Sequence, residues 1–132
     1  MKTVATIASW VVRLGGLAML VLGLLFWSGN ALTLKQEHET LGLLVVLALW
    51  VLAGVALLKG VNRGLVIGGF LLGFVVIIFG TSQTALMSGA TRAVVETIKV
   101  IHLLLGLGLI SMGEVFMARI RRIGQGGKPV AA

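Results

Sequence analysis

The sequence predicts an all-α fold, a four-helix bundle built to cross a lipid bilayer, and three observations predict it. Of the 132 residues, 58% are hydrophobic and 11% charged, whereas a water-facing domain carries about 25% charged residues. Four apolar runs, at 11–27, 41–58, 64–80 and 98–118, alternate with short polar segments, and each is near the ~20 residues a helix needs to cross the hydrocarbon. Only helices and closed barrels satisfy their backbone in lipid, and the runs lack the alternation of barrel strands. These spans form one membrane domain over residues 1–124, followed by a flexible tail at 125–132.

Each span has its own marks. In the first, Trp10 and Trp27 lie 17 residues apart, about 25 Å along a helix, as a pair of interfacial anchors would. Lys2, Arg13, an apolar run and then Gly29, Asn30 and Ala31 also trace the outline of a cleaved secretory signal, but the tryptophan pair favours a retained span. The second follows the polar stretch KQEHET. The third opens with GLVIGGFLLG, whose Gly64, Gly68, Gly69 and Gly73 are spaced for close helix packing. In the fourth, Glu114 is near the same end of the bundle as Arg13, which sets up an ion pair between the first and last spans. Trp50 lies about 18 Å along the helix from His38 and is expected to pack between helices. The single proline, Pro129, is in the tail, so nothing forces a kink in a span. With no cysteine, disulfides, thiolate metal sites and iron–sulfur clusters are excluded.

Charge orients the chain. With alternating spans, Lys2, Arg13, Lys59, Arg63, Arg119, Arg121, Arg122 and Lys128 fall on one side, and Lys35, Arg92 and Lys99 on the other. The positive-inside rule then puts both termini in the cytoplasm, as for a bacterial cytoplasmic (inner) membrane protein. The net charge of +7 is accounted for by topology and anionic lipid headgroups, with no motif for nucleic acid.

Both histidines belong to a repeat. KQEHETLG at 35–42 returns sixty-four positions later as KVIHLLLG at 99–106, so that each histidine has a lysine three residues before it, a leucine three after and a glycine four after. The chain holds only five lysines, so composition does not explain the match. With a different offset Arg13 and Gly23 align with Arg63 and Gly73, extending the repeat to a two-helix unit. Two parallel repeats imply a pseudo-two-fold axis along the membrane normal. His38 and His102 then face each other from parallel helices, near the outer side.

Imidazole is a good axial ligand for haem iron, and a porphyrin between two helices needs one histidine from each side and room for a flat ring. A residue at i+4 lies on the same face one turn away. Gly42 and Gly106 there supply clearance. Lys35 and Lys99, one turn the other way, are placed to meet haem propionates. The expected site is therefore His38 and His102 as metal ligands, with Gly42, Gly106, Lys35 and Lys99 around one bis-histidine haem b. Taken singly, each residue also has a plainer reading: an interfacial histidine, packing glycines and lysine anchors at helix ends. His102 is the exception, because an ionisable residue within VIHLLLGLGL is costly in lipid.

With its repeated KxxHxxLG and four spans, the chain resembles the four-helix transmembrane b-type cytochromes, in which span histidines bind haem non-covalently and small residues make room. The resemblance implies electron transport to or from a quinone or a protein redox partner. Members often carry two haems on four histidines, whereas this chain has two histidines and thus one site. It is expected to act as a small subunit of a respiratory or photosynthetic complex, more an electron-transfer subunit than a stand-alone enzyme. The alternatives are a chlorophyll-type pigment subunit, each histidine holding its own magnesium, and a cofactor-free scaffold. A four-helix exporter is disfavoured because the first span has no carboxylate.

Overall fold

The computed structural model describes residues 1–126. Among them there are four long helices and no strand: α1 (Lys2–Trp27), α2 (Lys35–Leu58), α3 (Arg63–Met87) and α4 (Arg92–Gly124), with a 3-10 turn at Leu32–Leu34 leading into α2. All four are long and apolar enough to cross a membrane. Of the tail expected to be flexible, residues 127–132 lie outside the described residues.

The helices run past the apolar stretches at most of their ends. Apolarity marks the hydrocarbon, but a helix continues until its backbone is turned. That happens at Gly29, Gly60 and Gly89, which have φ of 80°, 81° and 70°, the left-handed conformation that commonly closes a helix. At the following starts, the Asn62 side chain accepts a hydrogen bond from the Leu65 N–H and Thr91 accepts one from the Val94 N–H, so two helices begin at polar caps.

Successive helices run antiparallel. α1 packs on α2 and α4, α3 packs on the same two, α2 meets α4 through the middle, and α1 and α3 do not touch. The cross-section is a rhombus whose short diagonal joins the two parallel, histidine-bearing helices. This is the placement that two parallel repeats related by an axis between α2 and α4 would have.

Packing differs sharply along the bundle. Towards the end where α1 begins and α4 ends, Val12, Val46, Leu49, Leu52 and Phe116 are almost wholly buried. Gly69 admits the Phe116 ring, Gly73 the Trp50 indole and Gly113 the Val12 side chain. Trp50 packs between α2 and α3, its ring 4.7 Å from that of Phe74, and its Nε1–H donates to the Phe70 carbonyl at 3.3 Å. Arg13 and Glu114 form the ion pair expected between the first and last spans, with Nε donating to Oε1 at 2.5 Å and Nη2 to Oε2 at 2.7 Å. The Arg13 guanidinium also lies 5.5 Å from the centre of the Trp10 ring. In the opposite half there is little core: over residues 17–44 and 74–108, Ile98 is the one buried residue. Both histidines lie in that half.

Candidate cofactor site between two histidines

His38 is near the start of α2 and His102 ten residues into α4. Each begins a stripe on its helix at positions i, i+4, i+7 and i+11, the spacing of one helical face. The stripes are His38, Gly42, Val45 and Leu49, and His102, Gly106, Leu109 and Gly113. Their last two members are buried in both cases, so both histidines are aimed at the bundle interior. The imidazole centroids are 6.2 Å apart, with the ring planes at 47°.

The two outer helices close the sides. Phe26 of α1 meets His38 edge-on at 5.2 Å, and Phe79 of α3 stacks on His102 at 6.3 Å with planes 16° apart. One ring from each helix thus forms a row of four. Among the described residues, three buried side-chain polar atoms have no hydrogen-bond partner: Nδ1 of His38, Nδ1 of His102 and Nε2 of Gln83. Leaving a buried polar atom unpaired costs about 1–3 kcal/mol. Two of these atoms belong to the facing imidazoles. The third is on α3, one turn from Gly80, whose Cα lies against His102: a Cβ there would come 3.3 Å from Cε1 and 4.0 Å from Nδ1.

Two imidazoles on opposite sides of one ion, with metal–nitrogen bonds of about 2 Å, have ring centroids about 6 Å apart. The observed separation fits that arrangement. No group of three or more histidine, cysteine or carboxylate side chains that could hold a metal occurs among the described residues, whereas a bare zinc ion takes three or four protein ligands. A pair of facing imidazoles suits a metal that brings its own equatorial donors, as a porphyrin does.

The remaining expected site residues divide. Gly106 has nothing within 4 Å of where a Cβ would stand, and its stripe partners Leu109 and Gly113 are buried, so the space beside it is interior. A Cβ on Gly42 would meet the terminal methyl of Met19 at 3.0 Å. The room on that side is therefore held by a flexible side chain from α1. Lys35 donates to Thr84 Oγ1 at 2.8 Å and lies 3.7 Å from Glu39. Lys99 donates to Glu96 at 2.9 Å and sits 5.8 Å from the centre of the Trp27 ring. Both lysines thus have protein partners at the histidine end, α2 to α3 in one case and α4 with α1 in the other.

Sequence reasoning passed over Phe26, Phe79, Gly80, Gln83 and Met19. Gln83 left a trace, as an amide following the apolar run 64–80. The other four are ordinary residues of apolar spans, distinguished only by what they face across the bundle. Compared with protein families, curated proteins and solved structures, the chain has no match.

Proposed function

We propose that this chain is an integral membrane cytochrome b that holds one haem between His38 and His102 and passes electrons to or from a quinone or a protein redox partner. The observation that carries the reading is the facing pair of imidazoles, with centroids 6.2 Å apart, in the half of the bundle that has almost no core of its own. Haem supplies a reversible one-electron change at its iron. His38 and His102 would hold the iron, and with both imidazoles bound to it the group would supply electron transfer in preference to oxygen chemistry. Gly106 and the displaceable Met19 provide the clearance. Phe26 and Phe79 flank the imidazoles.

The charge asymmetry favours a topology with the termini in the cytoplasm and the histidine end near the outer face of a bacterial cytoplasmic membrane. One site in one leaflet covers only part of the ~30 Å hydrocarbon. Transfer across the whole membrane then needs a further carrier, in keeping with a small subunit of a respiratory or photosynthetic complex. A pigment reading is less well supported, because two magnesium ligands would have to face apart, and these rings face each other.

Visible spectra of the purified, detergent-solubilised protein, oxidised and reduced, before and after adding haem, test the proposal. Low-spin haem bands that sharpen on reduction are expected, with one haem per chain. A chlorophyll-type spectrum would move the assignment to pigment binding. No absorbing species even with haem supplied would leave a scaffold.

A further inference from the structure

The row of four rings accounts for the imidazoles and the space between them but not for Gln83, the third buried polar side chain without a partner. We infer that the Gln83 side-chain amide is the hydrogen-bond acceptor for His102 Nδ1–H, and that it fixes the tautomer that leaves the His102 Nε2 lone pair free for a metal. The second half of this inference rests on the cytochrome reading; the first half does not.

Three features carry it. The edge of the His102 ring nearest α3 is the Nδ1–Cε1 edge, since these are the two atoms closest to a Cβ built on Gly80. Gln83 follows Gly80 by three residues, one turn nearer the outer end and on the same side of α3. In addition, Cα–Cβ bonds tilt towards a helix's N-terminus. Because α3 and α4 are antiparallel, Gln83 leans inwards along the bundle while His102 leans outwards, so the two side chains converge. Each carries a buried polar atom that lacks a partner. A rotation of the glutamine side chain, with its oxygen and nitrogen exchanged as an amide allows, would pair them.

The consequence is chemical. A neutral imidazole donates from one nitrogen and accepts at the other, and whichever nitrogen holds the proton is set by the bond it makes. An acceptor at Nδ1–H therefore leaves Nε2 unprotonated. Such second-sphere bonds raise the basicity of a ligating histidine, and their removal typically lowers metal affinity about 10–100-fold. Gln83 is thus a positioning residue for His102. His38 has no corresponding amide from α1, whose contact with it is Phe26, so the two ligands would be unequal.

Nitrogen NMR of histidine-labelled, cofactor-free protein in micelles reads the tautomer directly, with the two histidines assigned from His38→Asn. In the parent, His102 is expected as the Nδ1–H form. In Gln83→Leu it should shift towards Nε2–H, with the His38 signals unchanged; Gln83→Asn, which is shorter by one methylene, gives the same comparison if the leucine variant folds poorly. In haem-loaded protein, Gln83→Leu should bind haem about 10–100-fold more weakly and have a higher reduction potential, whereas Gln83→Glu should have a lower one. A purely structural role would not produce opposite shifts. An unchanged His102 tautomer in the variants overturns the inference, whether or not the parent binds haem. Failure of the parent to bind haem overturns the cytochrome reading and leaves the hydrogen bond to be decided by the tautomer alone.

Discussion

His102 lies within the run VIHLLLGLGL and His38 within KQEHET, yet the fold brings both to one level, 6.2 Å apart. If the two act as a pair of ligands, neither suffices alone. His38→Ala and His102→Ala are each expected to lose the low-spin spectrum while still inserting into membranes, and an unchanged spectrum in either would place the ligand elsewhere. Gly106 offers a sharper test because it borders open space. Gly106→Leu should leave the cofactor-free protein as stable as the parent, or up to about 1 kcal/mol more so, since glycine is the poorer helix former. The same substitution should lower the haem-to-protein ratio. Thermal unfolding and pigment stoichiometry check the two halves of that statement, and unchanged stoichiometry would return Gly106 to helix geometry. The lysines separate in a similar way. Lys99 is paired with the Glu96 carboxylate at 2.9 Å, while Lys35 donates to the neutral hydroxyl of Thr84 and lies farther, 3.7 Å, from the Glu39 carboxylate. Removing positive charge near a haem disfavours its reduced, more negative state. Redox titration should therefore give a lower potential for both Lys35→Gln and Lys99→Gln, modest in each, larger for Lys35 and smaller in high salt. At this scale the histidines were legible because a scarce lysine and a glycine repeat at fixed offsets from them. Gly80, Gln83, Phe26 and Phe79 were not, because their meaning comes from contacts across the bundle that leave no periodic signal.

At the scale of the helices, hydropathy located all four elements and the ends at Trp27 and Leu58, but not most of the other ends. The turns come at WSGN, LKGVN and MSGAT, where glycine in the left-handed region reverses the chain, and these signals lie several residues beyond some of the apolar runs. The decapeptide GLVIGGFLLG shows a second limit. Its four glycines look alike in sequence, but of these only Gly69 and Gly73 face neighbours, against Phe116 and Trp50, while a Cβ on Gly68 would meet nothing and one on Gly64 would meet only its own cap residue, Asn62. Which pair packs depends on how the helix is rotated against α2 and α4, and glycine on both faces conceals that rotation. A direct contrast follows. Gly73→Ala must displace the Trp50 indole and is expected to destabilise the bundle by about 1–3 kcal/mol, the usual range for overpacking. Gly68→Ala should be neutral or stabilising by up to about 1 kcal/mol. Unfolding of the two variants in the same detergent is the measurement. Equal effects would mean α3 is rotated from the orientation described.

For the molecule as a whole, the contrast between its two halves ties stability to function. The end where α1 begins and α4 ends has a packed interior of Val12, Leu49, Leu52 and Phe116, an ion pair and five glycines, Gly15, Gly16, Gly69, Gly73 and Gly113, filled by neighbouring side chains. The histidine end has one buried residue and three unpaired buried polar atoms. Regions with few buried contacts open at lower free energy than the global transition, so the cofactor-free protein should exchange its amide hydrogens unevenly. Lipid or detergent shields the outward faces of all four helices alike, which leaves the interior-facing amides as the informative ones. Those of 45–56 and 109–120 are expected to exchange slowly, and those of 17–44 and 74–108 faster. Haem that binds only the folded state adds stability by mass action, about 2.7 kcal/mol at one hundred times its dissociation constant. The added protection should be concentrated at the histidine end, because that is where the missing interior would be supplied. Hydrogen exchange followed by mass spectrometry, with and without haem, resolves the two halves. Uniform protection before haem is added, or added protection spread evenly along the bundle, would mean that the histidine end is already complete and that the two imidazoles face each other for a structural reason.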